Sequence, residues 1–411
     1  MDAVWAASMR PNPAAGWWLA EEREELAALL PAPLGERLRL LSHHTAHVLS
    51  GYLLSGHERA GGLVIDAGGS SLGADFGPGR ERITGYDLWP DRIDRLYQGM
   101  PAVVPGPVGP RRVHSSPGHF YRNLARRVIP PGDEPEGSMM ALAAFGDLHL
   151  NGRLAADSGF DTLFVAPAPH DAGTAVGAAL YGWHYQLGQE RVPVPTDAAW
   201  GPGPGVLPTT TVPSGYRALS QLGSGLAPTV AALLAEHRIV GWVQGQLEFG
   251  PRALGHRSIL AHPGHTATRD RLNAIKKRAA YRPFAPAVLT EHATEWFMSS
   301  GDPFMNRVAT VRRCRADRIA AVTHHDGTAR VQSVAADHQG LRDLLEQFRD
   351  LTGLPLLLNT SLNRKGAPIL RTAEQAVAAA VDLRLDALAV GDTLLLADHV
   401  PGPRAASLRA R

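Results

Sequence analysis

The chain of 411 residues contains a single cysteine, Cys314. An internal disulfide is thereby excluded, and so is a zinc cluster built from thiolates; the composition suits a reducing compartment, and Cys314 reads as a small buried apolar residue. Long hydrophobic runs are missing too, since no uninterrupted apolar stretch approaches the roughly 18 residues that a membrane-spanning helix needs. The opening Met1-Asp2-Ala3-Val4-Trp5 has no basic leader before an apolar core, so we read no signal peptide and expect a cytoplasmic protein without a membrane partner. An excess of one charge is also absent. With 41 basic and 39 acidic residues the net charge is +2, which removes the general polyelectrolyte attraction that favours nucleic acid. Any anion site must be local. What remains, 44% hydrophobic and 19% charged residues, is the balance of a globular chain long enough for two or three domains.

Proline and glycine mark the organisation. Residues 189–215 carry Val-Pro-Val-Pro and Gly201-Pro202-Gly203-Pro204-Gly205 with no helical or alternating pattern, and read as a linker. A second cluster over 100–110 reads as a long loop inside one domain. The expected halves are residues 1–200 and 215–411, each large enough for its own core.

In the front half, Ser42-His43-His44-Thr45-Ala46-His47 sets His43 and His47 four residues apart. That spacing puts both imidazoles on one helix face, where they can meet one cation with carboxylates arriving from elsewhere. Nineteen residues after His47 stands Asp66, in Leu63-Val64-Ile65-Asp66-Ala67-Gly68-Gly69-Ser70. This reads as a buried strand that delivers a carboxylate into a phosphate-accepting turn. Residues 161–180 predict a second such element: a strand, then Asp171-Ala172-Gly173-Thr174, then a helix rich in small residues. His44 reads as a packing residue beside the cation and a candidate base.

The back half carries the anion chemistry. Between Arg252 and Arg282 stand eight basic residues (Arg252, Arg257, Arg269, Arg271, Lys276, Lys277, Arg278, Arg282) against one acid, Asp270. Several sit among glycines and apolar residues, as in Glu248-Phe249-Gly250-Pro251-Arg252-Ala253-Leu254-Gly255-His256-Arg257 and Tyr281-Arg282-Pro283-Phe284. Arginine held in a stiff, partly apolar setting suits phosphate or carboxylate. Further polar segments follow at His324-His325-Asp326-Gly327-Thr328-Ala329-Arg330 and Leu358-Asn359-Thr360-Ser361-Leu362-Asn363. His256, His262 and His265 read as surface or loop histidines.

The strings HHTAH, FVAPAPHDAGTAVGAAL, EFGPRALGHRSIL, YRPFAPAVL, HHDGTARVQ and NTSLNRKGAPI together resemble the O-carbamoyltransferases of antibiotic and nodulation-factor biosynthesis. The resemblance implies a chain of mixed α/β and α+β class, with a shortened actin-like, sugar-kinase-like ATPase fold in front and a YrdC-like domain behind. It implies that carbamoyl phosphate and ATP form carbamoyl adenylate, whose carbamoyl group passes to a hydroxyl of a small natural product. Metal ligands would fall on His43, His47, Asp66 and Asp171, holding iron or else zinc, manganese or magnesium. The nucleotide would be lined by Gly68, Gly69, Ser70, Gly173 and Thr174, and carbamoyl phosphate held by Arg252, Lys276, Arg282, Arg330 and Ser361. Relatives of this kind begin with a Gly-His-Asp-containing segment that this sequence does not show. The expectation is therefore a shortened active transferase, one completed by a partner chain, or a non-catalytic binding paralogue.

Overall fold

The computed structural model describes residues 4–8, 38–66, 82–99, 102–104, 111–113, 125–127, 159–207, 212–219, 221–364 and 366–401. The chain divides into two compact units, Met1–Met139 with Phe164–Pro195, and Met140–Leu163 with Thr196–Arg411.

In the first unit two parallel strands, β1 (Val4–Ser8) and β2 (Leu38–Ser42), lead into α1 (His43–Tyr52). Ser42 ends β2 and caps α1, its Oγ accepting the Thr45 N–H at 3.2 Å, which satisfies a donor that the first helical turn leaves open. An antiparallel meander follows, β3 (Ala60–Ile65), β4 (Ile83–Leu88) and β5 (Ile93–Gln98), then a hairpin of β6 (Ala102–Val104) and β7 (Arg111–Val113). Strand side chains alternate between faces, so β4 buries Thr84, Tyr86 and Leu88. Tyr86 and Leu88 close a core with Val48, Leu49, Tyr52 and Leu53 of the α1 region. Helix α2 (Gly173–Tyr181), which continues into a π-helical turn at Gly182–Gln186, packs on α1. Gly177 sits where they meet: a Cβ there would lie 1.8 Å from the Ala46 carbonyl oxygen, an approach only glycine permits.

The strand expected ahead of α2 does not form, and residues 161–172 run as irregular chain. Pro167 and Pro169 supply no N–H to a ladder.

The second unit is built on an eight-stranded mixed sheet. In chain order its elements are β8 (Tyr216–Leu219), α3 (Leu226–Ala235), β9 (Val240–Val243), β10 (Arg257–Ala261), α4 (Thr266–Ile275), β11 (Ala285–Leu289) and α5 (Ala293–Trp296). These are followed by β12 (Val308–Thr310), β13 (Thr328–Arg330), β14 (Gln332–Val334), α6 (Gln339–Thr352), β15 (Leu356–Ser361), α7 (Ala373–Asp382), β16 (Ala387–Val390) and β17 (Thr393–Ala397). The strand order is β14-β11-β15-β10-β9-β16-β17-β8, while β12 and β13 form a separate hairpin. Every residue of β9, β10, β11 and β16 is buried, which requires cover on both faces of the sheet. On α6, Leu341, Leu344, Leu345 and Phe348 are fully buried at the spacing of one helical face; each such side chain contributes about 1.5–3 kcal/mol. Gly353, at φ +71°, ends α6 by donating its N–H to Arg349 O at 2.7 Å, a left-handed cap. The expected mixed α/β class is thus observed.

The stretch read as a linker is held backbone. Gly201 N–H donates to Leu247 O (2.8 Å), Leu247 N–H to Pro202 O (2.9 Å), Phe249 N–H to Ala198 O (2.7 Å) and Ala373 N–H to Pro204 O (2.8 Å). Trp200 stacks on Phe249 with centroids 6.0 Å apart. Prolines lack a donor but keep their carbonyl acceptors, so a segment without periodicity is still anchored by its neighbours. Cys314, expected to be buried, is exposed. No described helix is long and apolar enough to cross a membrane.

Candidate metal centre and anion pocket

Three elements of the first unit bring four ligands together. Helix α1 presents His43 and His47 one turn apart, their Nε2 atoms 3.0 Å from each other. The end of β3 delivers Asp66, whose Oδ2 lies 3.2 Å from His43 Nε2. The turn before α2 supplies Asp171, whose Oδ1 lies 3.6 Å from His43 Nε2 and 3.7 Å from His47 Nε2. One ligand atom from each of the four lies within 4.8 Å of all the others. Two facing imidazole nitrogens can share only one proton, and two carboxylates converge on them, so the donor set fits a divalent cation such as iron, manganese or zinc. Burial, and next the neighbouring His43, push His47 down to about 4. Asp171 is 63% exposed, which leaves the cluster open on its side. His44 is fully buried, with Nδ1 2.7 Å from Thr84 Oγ1 and Nε2 3.8 Å from Asp66 Oδ2. It thus lies in the core beside Asp66.

Among the residues assigned to nucleotide, Gly173 donates its N–H to His170 O (2.8 Å) and Thr174 its N–H to Asp171 O (3.1 Å). The Thr174 hydroxyl also donates to Asp171 O, at 2.7 Å, so this turn chiefly fixes Asp171. Gly68, Gly69 and Ser70 lie outside the described residues.

The second unit gathers cations. Arg330, at the end of β13, has its Nε buried with no hydrogen-bond partner. Burial, then Arg252, Arg278 and Arg282, hold its guanidinium well below the ordinary pKa. Every charged group named there has the same sign as Arg330, an arrangement that costs free energy until an anion enters. Burial and then Arg282 lower Arg252 likewise. Lys276, in the C-cap turn of α4, donates to Ser361 O, to Asn363 O (3.1 Å) and to Asn363 Oδ1 (2.9 Å), with Ser361 Oγ 3.4 Å away. Burial, then Arg278 and Arg282, push Lys276 down to about 7. Asn273 steadies the connecting turn by donating its side-chain N–H groups to Ala280 O and Arg282 O.

Arg252, Lys276, Arg282, Arg330 and Ser361 thus fall in one region, but the basic run as a whole does not. Arg257 is fully buried and donates to the carbonyls of Gln244, Gly245 and His256; Arg269 pairs with Asp270 and Arg271 with Asp386. Arg257 and Arg271 brace the fold, while Arg269 makes an exposed pair with its sequence neighbour. Arg278 and Asn363 belong to the pocket's surroundings, and the sequence reading had assigned neither. Arg278 stood unmarked within the charge run, and Asn363 becomes informative once Lys276 is seen to reach it.

A pH dependence follows. Between pH 7 and the ordinary lysine value of 10.5 the unfolded chain holds a proton on Lys276 that the folded chain lacks, so this group's contribution to stability rises with pH across that window. An anion bound beside Lys276 would run the other way, because a charged lysine there adds to the attraction. Sulfate, which does not titrate here, should bind more tightly as pH falls from 8 to 6, and Lys276→Arg should flatten the profile. Calorimetry at three pH values would check this, and a flat profile in the unaltered chain would refute the role given to Lys276.

With the two sites described, known proteins offer a comparison. Residues 231–396 match the family model "Carbamoyltransferase C-terminus", so this part of the chain is similar to that family, in accord with the motifs. The chain is 33% identical over 438 residues to nodulation protein NolNO of Sinorhizobium fredii, covering 87% of this chain and 64% of that protein. It is 43% identical over 260 residues to nodulation protein NolO of Bradyrhizobium diazoefficiens, covering 60% and 46%. It is 34% identical over 290 residues to 3'-hydroxymethylcephem-O-carbamoyltransferase of Streptomyces clavuligerus, covering 66% and 50%. The chain therefore spans about half to two thirds of the length of these curated relatives. Among solved structures, full-length HypF in its phosphate- and nucleotide-bound form aligns with a TM-score of 0.29 and 18% identity, over 46% of this chain and 23% of that one.

Proposed function

We propose that the chain works as an ATP-dependent O-carbamoyltransferase. One observation carries the reading: Arg252, Arg278 and Arg282 act on the half-buried Arg330, whose Nε is enclosed without a hydrogen-bond partner, in the part of the chain that matches the carbamoyltransferase family model. Four neighbouring guanidinium groups suit a compact dianion, and carbamoyl phosphate is the dianion that this similarity points to. In this reading Arg252, Arg282 and Arg330 hold the phosphate, with Lys276 fixing the Ser361–Asn363 turn beside it. Fixed cations then offset charge as phosphate departs. Water cleaves carbamoyl phosphate to carbamate and phosphate, the carbamate oxygen attacks the α-phosphate of ATP to give carbamoyl adenylate and release pyrophosphate, and the carbamoyl group then passes to a hydroxyl of a small natural product as AMP leaves. The second unit would be YrdC-like and the first a shortened actin-like, sugar-kinase-like ATPase fold, with nucleotide near Gly68, Gly69, Ser70, Gly173 and Thr174. A divalent cation on His43, His47, Asp66 and Asp171, iron before zinc, manganese or magnesium, would supply charge neutralisation and orientation. His44 braces Asp66 from within the core.

The test is to mix the full chain with ATP and carbamoyl phosphate and to look for carbamoyl adenylate by mass, with pyrophosphate measured alongside. Asp171→Ala should weaken metal retention about 10- to 100-fold, read by elemental analysis after dialysis, while leaving sulfate binding in the second unit unchanged. A chain that binds sulfate with the expected pH profile yet forms no adenylate would overturn the proposed activity.

A further inference from the structure

His256, expected at the surface, is buried, and so is His338. Their rings stack with centroids 4.7 Å apart and planes 18° from parallel. Each histidine has one ring nitrogen committed to a backbone carbonyl. His256 Nδ1 lies 3.2 Å from Gln244 O, and His338 Nε2 lies 2.8 Å from Leu254 O. A carbonyl can only accept, so each of those nitrogens carries a proton, which leaves His338 Nδ1 as a lone-pair atom and His256 Nε2 as the nitrogen that a cation would meet once its proton is displaced. Both Asp197 oxygens face His256 Nε2, at 3.0 and 3.1 Å. Ligand atoms of Asp197, His256 and His338 all lie within 4.8 Å of one another.

This is the arrangement by which proteins prepare imidazoles for a metal, with the far N–H of each ring fixed on an acceptor so that tautomer and orientation are set in advance. We propose that Asp197, His256 and His338 form a second divalent-cation site, separate from the His43 cluster, and that zinc is the ion it suits. Two imidazoles and one carboxylate are borderline donors that match zinc and leave a fourth position for water. Entry is from the Asp197 side, since that side chain is 29% exposed whereas His256 is 9% exposed. The proton that His256 Nε2 shares with Asp197 in the absence of an ion leaves when the ion binds.

The three ligands come from three pieces of chain. Asp197 lies in the held segment that hydrogen-bonds residues 247–249, His256 closes the loop that carries Arg252, and His338 precedes α6. Glu248 Oε1 accepts the N–H groups of Leu254 (2.9 Å) and Arg257 (3.1 Å), so the loop is already braced from within. A cation would tie this braced loop to its two neighbours. The role is that of a clamp on the Arg252 loop.

The experiment uses the full chain stripped of metal and titrated with Co2+ as a visible stand-in for zinc, then with Zn2+ to displace it. The unaltered chain should take up two equivalents, and His47→Ala, which disables the first cluster, should take up one. Adding His338→Ala to His47→Ala should weaken that remaining equivalent by about 100-fold or abolish it. Adding Asp197→Asn, which preserves size and a hydrogen bond to His256, should weaken it about 10- to 100-fold. Thermal unfolding of each variant without metal confirms that it is folded. The proposal is overturned if His47→Ala binds no ion, or if folded His47→Ala/His338→Ala binds Zn2+ as tightly as His47→Ala. Neither outcome depends on carbamoyl transfer.

Discussion

Replacing Arg330 by methionine should abolish anion binding and at the same time raise the melting temperature of the ligand-free chain. The two effects have one cause. The side chain is half-buried, its enclosed Nε has no hydrogen-bond partner, and the charged groups acting on it are Arg252, Arg278 and Arg282. Removing a half-buried charge that faces three cations while keeping an apolar stem should stabilise the second unit by about 1 kcal/mol, or a few degrees in melting temperature. The same change removes a preorganised cation from the pocket and should lower adenylate formation by about 100- to 1,000-fold. Sulfate at 100 times its dissociation constant should stabilise the unaltered chain by about 2.7 kcal/mol and the variant not at all. Thermal unfolding with and without sulfate measures both halves of this prediction. A variant that melts lower than the unaltered chain and still responds to sulfate would mean that Arg330 is a structural residue.

Gly177→Ala should damage the proposed metal centre from a distance. The added Cβ would lie 1.8 Å from Ala46 O, 2.7 Å from Ala46 C and 3.1 Å from Ser50 N. These are backbone atoms of α1, which cannot turn aside as the end of a side chain could. The helices must then part by about 1 Å or more, since packed interiors have no slack to absorb an extra methyl. Overpacking of this kind costs about 1–3 kcal/mol. It also carries Asp171, in the turn before α2, away from His43 and His47 on α1. Loss of bound metal should therefore accompany the fall in stability. Gly51→Ala is the control, because a Cβ at that α1 position meets nothing within 4 Å and should stabilise the helix by about 0.5–1 kcal/mol. Elemental analysis and thermal unfolding of the two variants make the comparison, and equal metal content in both would refute the argument.

Some of this was legible in the residues. The four-residue spacing of His43 and His47 is a helical property, and Asp66 follows an apolar run that does form β3. Local chemistry wrote those features, so sequence could report them. Other features depend on partners far along the chain. The lack of periodicity in residues 189–215 suggested a tether, yet bonds to residues 247, 249 and 373 hold part of it in place. His256 looked like a loop histidine until Asp197, 59 residues away, and His338 were seen around it. Within the basic run, spacing could not separate Arg257, which braces carbonyls, from Arg252, which neighbours Arg282 and Arg330.

The sequence by itself determined which chemistries were available: no disulfide, one local concentration of cations, a pair of imidazoles on one helix face, and strings that resemble those of carbamoyltransferases. Tertiary structure decided which of those groups meet. The physical reason is that a side chain's charge, tautomer and cost of burial are set by neighbours that the sheet order and helix packing bring within a few ångströms, and those neighbours are distant in sequence.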